Sequence, residues 1–296
     1  MNSTPSADDI PVVTVLMAVR DGAAFLREAI ESILRQTFSE FEFAIINDAS
    51  TDGTRAIIQS YSDPRIFLID NTTPMGVAAS LNRGLDLAKG AYIARMDCDD
   101  VSLPDRLERQ VEYLEANHHV CVCGSWAELI DEGGRKLGVQ KRPFGKQMQQ
   151  EYWIPSPVVH PSAMIRRSQL GDMRYDEKLN AAEDYDLWLR LNKVCTIDNI
   201  PKILLRYRIH KSSATSRRRT EQLQETYEIF MRHTGISDIA YEDFISLIGA
   251  SYRLSPIKRM FLSSKLARRL GMVRGAFLHA DALYFKQWLL NACCKP

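Results

Sequence analysis

The chain opens on alternating apolar and polar blocks. Val12 to Val19 is a continuous, β-branched-rich apolar run, the pattern of a strand buried on both faces. Arg20-Asp21-Gly22 turns the chain. Ala24 to Arg35 then sets Phe25, Leu26, Ile30, Ile33 and Leu34 at helical spacing, with Glu28 and Glu31 outside. The rhythm repeats with a strand over Phe41–Ile46, a polar loop from Asn47 to Gly53, and a short helix over Thr54–Ser60. A strand over Ile66–Ile69, a helix over Met75–Leu87 and an apolar strand over Tyr92–Met96 follow. Pro104 to Asn117 reads as the next helix, with Pro104 at its start and Ser102 as a candidate cap. Regular alternation of strand and helix predicts parallel β-α-β units with right-handed crossovers.

Beyond residue 117 the pattern changes. Val120–Val122 and Ala127–Ile130 are strand-like, and Asp131-Glu132-Gly133-Gly134 is a hairpin signal. A loop from about Arg142 to Pro161 holds Trp153 and His160. Ala163–Ile165 reads as strand, Tyr185–Leu191 as helix, Ile203–Ile209 as strand, and the chain from about Thr220 mostly as helix. The predicted class is α/β: a Rossmann-like mixed, mostly parallel sheet flanked by helices, with a helical C-terminal appendage.

Composition narrows the partners. At 296 residues, 45% hydrophobic and 25% charged, the chain is long enough for a sizeable core. A net charge of +1 gives no general attraction for polyanions, so nucleic acid is not an expected partner. The six cysteines, Cys98, Cys121, Cys123, Cys195, Cys293 and Cys294, include no C-x-x-C pair. They are expected as free thiols in a reducing cytosol, with no structural zinc. The N-terminus lacks the basic region of a secretory signal, and no apolar run is long enough to span a bilayer. The expected location is the cytoplasm, with contact at the inner face of the membrane left open.

The chemistry gathers where strands end. Asp97 and Asp99 stand two apart after the Tyr92–Met96 run, so on extended chain they project to one side. In open α/β sheets ligands bind at the carboxyl ends of strands. Carboxylates there suit a hard divalent cation, which in turn suits phosphate. On its own an Asp-x-Asp far more often only ends a strand and caps the next helix. Three other loops carry similar groups: Arg20-Asp21-Gly22, Asn47 to Thr54, and Ala182-Glu183-Asp184.

Taken together these stretches resemble glycosyltransferase family 2, inverting enzymes with the A-type nucleotide-sugar-binding fold. The resemblance is carried by VTVLMAVRDGAAFLREAIESILRQTFSEFEFAIINDASTDGT from Val13, GAYIARMDCDD from Gly90, AAEDYDLWLRL from Ala181 and RYRIH from Arg206. Each motif is weak alone; their order, spacing and strand context are specific. The resemblance implies a catalytic domain over residues 1–215, with a nucleotide-binding half at about 11–117 and an acceptor-binding half at about 118–215. A helical segment over 216–296 completes the chain.

It also implies roles. Asp99 would coordinate Mn²⁺ or Mg²⁺, with Asp97 reaching the ribose or a metal-bound water. Asp48 would face the base edge of the nucleotide, flanked by Ala18, Val19 and Arg20. Asp184 would be the general base. His210 would lie close to the metal, with Arg206 or Arg208 available to phosphate. His160 would stand near the acceptor; Trp153, by its own chemistry, is suited to stack on a sugar there or to fill the core. Asp52, in Asp52-Gly53-Thr54, reads better as a turn and cap residue. The implied reaction moves a hexose or N-acetylhexosamine from a nucleotide diphosphate-sugar, UDP for preference, to a hydroxyl of a glycan or lipid-linked glycan. The implied setting is bacterial surface polysaccharide or lipooligosaccharide assembly. A sugar-nucleotidyltransferase would want a glycine-rich phosphate loop where Ala18-Val19-Arg20-Asp21-Gly22 stands. A non-catalytic nucleotide or glycan binder would not need Asp48, Asp97, Asp99 and Asp184 together.

From Phe244 to Ala280 there is no acid, while Arg253, Lys258, Arg259, Lys265, Arg268, Arg269 and Arg274 alternate with apolar residues. Such a segment either rests on an anionic membrane or packs its apolar face on the catalytic domain.

Overall fold

The computed structural model describes residues 10–151, 156–213, 217–237 and 239–247. The first half is four β-α repeats. Strands β1 (Val13–Val19), β2 (Phe41–Asn47), β3 (Ile66–Asp70) and β4 (Tyr92–Met96) alternate with helices α1 (Leu26–Leu34), α2 (Thr54–Gln59) and α3 (Val77–Leu87). These strands are parallel in the order β3-β2-β1-β4. Their apolar side chains serve both faces. Val13, Val15, Met17 and Val19 meet Leu26, Ile30 and Ile33 of α1, while Leu16 meets Leu81 and Leu85 of α3. Gly90 allows the α3–β4 link to cross β1 closely: a Cβ there would lie 2.4 Å from the Thr14 nitrogen.

The next helix, α4 (Arg106–Ala116), starts later than the sequence suggests. Ser102 does not cap it; Ser102 lies in a two-residue strand, β5 (Val101–Ser102), buried and bonded to the Gln36 amide. Strand pairing with Leu205 wins over capping. The stretches Val120–Val122 and Ala127–Ile130 are one strand, β6 (Val120–Ile130), because Gly124 and Ser125 between them are also buried and paired. Strand β7 (Lys136–Gln140) completes the hairpin. The short helices α5 (Lys146–Glu151) and α6 (Arg167–Leu170) flank β8 (Met164–Arg166). Then come α7 (Glu183–Leu191) and β9 (Thr196–Arg208), the latter running well upstream of Ile203.

All nine strands described form one sheet, β3-β2-β1-β4-β8-β6-β9-β5, with β7 on β6. Strand β8 is antiparallel to both neighbours, so the sheet is mixed but mostly parallel. Two C-terminal helices, α8 (Arg219–Thr234) and α9 (Tyr241–Leu247), share a core with Leu187, Trp188, Leu189 and Leu191 of α7 through Ile229, Phe230 and Phe244. The basic run from Arg253 to Arg274 lies outside the described residues, as do Cys293 and Cys294.

One expectation about the cysteines fails. Cys121 and Cys195 form a disulfide across a sequence separation of 74. Parallel pairing of Val120 with Thr196 sets the two side by side, a proximity that spacing along the chain does not reveal. Cys98 and Cys123 are free thiols.

Candidate active site

The loops after β1, β2 and β4 leave adjacent parallel strands at the same edge and are laced together. Asp21 accepts the Thr51 amide at 2.7 Å, the Gly22 amide donates to Thr54 Oγ1 at 2.9 Å, and the Ala23 amide donates to Asp52 at 3.0 Å. Asp52 also accepts the Thr54 amide, so it does serve the turn. A Cβ on Gly22 would sit 2.9 Å from Cys98 Sγ, so the first loop touches the Asp97–Asp100 loop. Asp21 and Ala49 both have φ of 51°, left-handed values uncommon without glycine, and such strain clusters at functional sites.

Ala18 and Val19 end β1 at this edge. Arg20 beyond them is exposed and within 3.8 Å of Asp21. Asp48, after β2, is buried. One of its oxygens accepts from the Asn71 amide and the Met75 N–H, both at 2.8 Å; the other takes the Gly76 N–H at 3.0 Å. In this arrangement Asp48 shapes the 71–76 loop.

Asp97, Asp99 and Asp100 each present a carboxylate oxygen, and these lie within 4.8 Å of one another. Burial, and then the charge on Asp97, raise the Asp99 pKa, with His210 opposing. Asp100 is pushed up further, by burial and then by Asp99, and one of its oxygens has no partner. Clustered hard oxygen donors, crowded like charge and an unpaired buried oxygen fit a divalent cation. His210 Nε2 is 2.8 Å from Asp99 Oδ2, its Nδ1 is 2.7 Å from Ser212 Oγ, and its ring packs on Phe25.

The two arginines before His210 are taken up structurally. Arg208 is buried and donates to the carbonyls of Asp99, Asp131 and Glu132 and to the Glu28 carboxylate. Arg206 pairs with Glu128 at 3.1 Å on the exposed side.

A buried arginine that the sequence reading passed over acts electrostatically both on this carboxylate group and on the acids of α7. Arg95, inside the apolar run of β4, bonds Asp97. Its charge also acts on Glu183, Asp184 and His160. A charge inside an otherwise apolar strand was the available signal, since buried charges are paired. Asp184 accepts the Tyr185 amide at 2.7 Å and the Ser156 hydroxyl at 3.3 Å, and burial raises its pKa. Glu183 beside it is pushed up to about 7 by burial and then by Asp184.

His160 lies in the same pocket of polar groups. Its Nε2 is 2.9 Å from the Tyr175 hydroxyl and its Nδ1 is 3.9 Å from Glu183. Burial and then Arg95 hold it well below the usual imidazole range, hence neutral. Trp153 lies outside the described residues.

Comparisons with known proteins give the family and the fold. Residues 14–173 match the profile described as glycosyl transferase family 2. An uncharacterized glycosyltransferase of Methanocaldococcus jannaschii is 36% identical over 230 residues, covering 75% of this chain and 79% of the relative. An O-antigen biosynthesis glycosyltransferase of Escherichia coli is 34% identical over 69% of this chain and 82% of its own. Among solved structures, TarS of S. aureus in complex with UDP-GlcNAc aligns with a TM-score of 0.66 at 17% identity, covering 93% and 89% of the two chains. A mannosyltransferase of Pyrobaculum calidifontis, in complex with GDP-Man and Mn²⁺, aligns at 0.63 and 18% identity, covering 93% and 87%. At those identities the structural likeness is one of fold. Asp184 and His210 lie beyond the matched family segment. The chain is a glycosyltransferase and belongs to glycosyltransferase family 2.

Proposed function

We propose that this glycosyltransferase inverts configuration, depends on Mn²⁺ or Mg²⁺, and draws its sugar from a nucleoside diphosphate donor, UDP for preference. The acceptor is a hydroxyl of a glycan or lipid-linked glycan in cell-surface polysaccharide assembly. The carrying observation is the cluster of Asp97, Asp99 and Asp100 oxygens, with the buried Arg95 that bonds Asp97 near enough to the acids at the start of α7 for its charge to act on them. It supports placing donor chemistry and proton acceptance in one cleft.

In this reading Asp99 and Asp97 hold the cation, with His210 orienting Asp99 or joining the ligand set. The cation supplies Lewis-acid neutralisation of charge on the departing diphosphate. Ala18, Val19, Arg20 and Asp48 line the nucleoside, Asp48 in part through the Met75–Gly76 backbone it fixes. Asp184 takes the proton from the acceptor hydroxyl, whose oxygen bonds the anomeric carbon as the carbon–oxygen bond to diphosphate breaks on the opposite face. A carboxylate with a raised pKa accepts that proton more readily. One base suffices because the leaving group departs as an anion, whereas a glycosidase pairs two carboxyls. His160 and Trp153 are assigned to the acceptor side. The donor chemistry of the two solved structures, UDP-GlcNAc and GDP-Man with Mn²⁺, and the O-antigen relative support the class of substrates. The basic run from Arg253 to Arg274 is assigned to an anionic membrane surface that carries the acceptor.

A panel of nucleotide-sugars with Mn²⁺, followed by product mass, tests this. Free nucleoside diphosphate with an inverted linkage is expected; pyrophosphate release would contradict it. Asp184→Ala is expected to slow transfer by about 100- to 10,000-fold. Asp99→Ala is expected to lose a comparable factor and metal-dependent donor binding. Turnover like that of the unaltered enzyme in either variant would remove the assigned role.

A further inference from the structure

Helix α7 has acids in its first turn but no side-chain cap. Its N-cap position is Ala182, preceded by Ala181, and no side chain there bonds the helix start. The main-chain N–H groups of Asn180, Ala181 and Ala182 are instead received by one carboxylate from another helix. Glu225 of α8 takes Asn180 N–H on Oε1 and Ala181 and Ala182 N–H on Oε2, each at 2.9 Å. Arg218, at the start of α8, donates to the Asn180 carbonyl at 3.0 Å, gripping the same turn from its other side. Further along, Arg232 and His233 of α8 reach Asp186 of α7 at 2.8 and 3.0 Å. Glu225 is buried, so its charge is set against these amides.

We propose that Glu225 is a positioning residue for catalysis: by binding three successive main-chain amides it fixes the turn from which Asp184 is presented. The inference rests on Asp184 being the general base. Three donors converging on a carboxylate define its position more tightly than one bond does. Asp184 is two residues beyond the last of them, and its own orientation depends on the Tyr185 amide, which belongs to the helix start that this turn sets. A displacement of about 1 Å at a reacting group costs on the order of 100-fold in rate. The helix after the catalytic strands is thereby part of the acceptor-side machinery and more than a packed appendage.

The test uses the full chain. Glu225→Gln, Glu225→Asp, Asp184→Asn and the double variant Glu225→Gln/Asp184→Asn are assayed for nucleoside diphosphate release with Mn²⁺. The donor is whichever of UDP-glucose, UDP-N-acetylglucosamine and GDP-mannose the unaltered enzyme turns over. Hydrogen–deuterium exchange is read in parallel on a peptide spanning residues 178–186. Glu225→Gln is expected to speed exchange at the amides of 180–182 while β1–β4 stay protected. It is expected to lower kcat about tenfold or more with donor KM within about twofold, and to add no further loss to Asp184→Asn. Glu225→Asp, which keeps the charge but shortens the reach, is expected between the two, and it carries the comparison if Glu225→Gln does not fold.

An unchanged kcat in Glu225→Gln beside an inactive Asp184→Asn would overturn the positioning role and leave the base standing. An active Asp184→Asn would overturn the base itself. Loss of protection across the whole sheet, or an independent further loss in the double variant, would make Glu225 merely structural and end the proposal.

Discussion

The two halves of the sheet place their polar groups by different means. In β1–β4 each group sits where its own strand stops: Arg20 after Val19, Asp48 after Asn47, Asp97 after Met96. Parallel pairing of neighbours then brings the three loops to one edge, where bonds such as that from the Thr51 amide to Asp21 lace them together. In the half built on β6, β8 and β9, local sequence does much less. The turn before Asp184 is held by Glu225, 45 residues beyond Asn180, and the Asp99–Asp100 loop is pinned by Arg208, more than 100 residues on. A site can thus have one wall set by strand topology and another set by long-range side-chain to main-chain bonds. The second kind is the more easily undone by a single substitution.

Arg208 offers the harshest trial of that contrast, since it lies in β9 yet serves the carboxylate loop of β4. Its amide donates to Asp100 at 2.8 Å, and its guanidinium holds the carbonyls of Asp99, Asp131 and Glu132. Arg208→Leu leaves those partly buried carbonyls without their donor, at about 1–3 kcal/mol each where water does not replace it. A loss of about 4 kcal/mol or more in denaturant unfolding is expected, with turnover down about 100-fold through displacement of Asp99. An Arg206→Leu variant, altered on the exposed face, should fall within about 0.5 kcal/mol of the parent. Equal effects from the two would mean that the bonds of Arg208 to the carboxylate loop do not hold that loop in place.

The same contrast explains what could be read from sequence. The first four strands, the α/β class and the loops at one edge follow from apolar runs and alternation, which are local signals, whereas the order of the strands comes from the structure. Asp97 and Asp99 were visible as paired carboxylates after a strand. The continuous strand β6 was not, because Gly124 and Ser125 break the apolar pattern while remaining buried; a Cβ at Gly124 would lie 2.2 Å from the Asn199 side chain. The upstream part of β9 was missed for a similar reason: Asp198, Asn199 and Pro201 read as loop, but Asp198 and Asn199 pair with β6, and Pro201 falls at the register shift that follows. Ser102 has the composition of a cap and the environment of a strand. Glu225 and Arg208 had no sequence signal for their roles, because the amides and carbonyls they serve are main-chain groups of any residue.

The Cys121–Cys195 bond belongs wholly to the second half and tests whether that half needs covalent support. Closing a loop of this length restricts the unfolded chain by a ceiling of about 4 kcal/mol. Cys121→Ser is expected to lower Tm by up to about 10 °C, in non-reducing buffer, with little change in donor KM. Dithiothreitol should move the parent toward the variant and leave the variant where it is. A parent insensitive to dithiothreitol, with all its thiols titratable when unfolded, would show that the pair is not bonded in solution.

The mildest probe is pH, and it separates the halves by charge. Glu183 has a folded pKa of about 7, above the ordinary 4.5, because it is buried beside Asp184. Below about pH 4.5 it is protonated folded or unfolded and contributes no difference. Between there and about 7 the unfolded chain binds fewer protons than the folded one, so unfolding stability falls as pH rises. The full penalty, up to about 3 kcal/mol, is present above pH 7. Asp184, Asp99 and Asp100 shift in the same direction, so the parent's slope mixes both walls of the site. Glu183→Gln removes one share. In metal-free protein the variant is expected to lose less stability than the parent between pH 5 and 8, and to unfold at the higher denaturant concentration above pH 7. Parallel curves for the two would mean that Glu183 carries no raised pKa and that the strain of buried charge lies with Asp184 and the β4 loop.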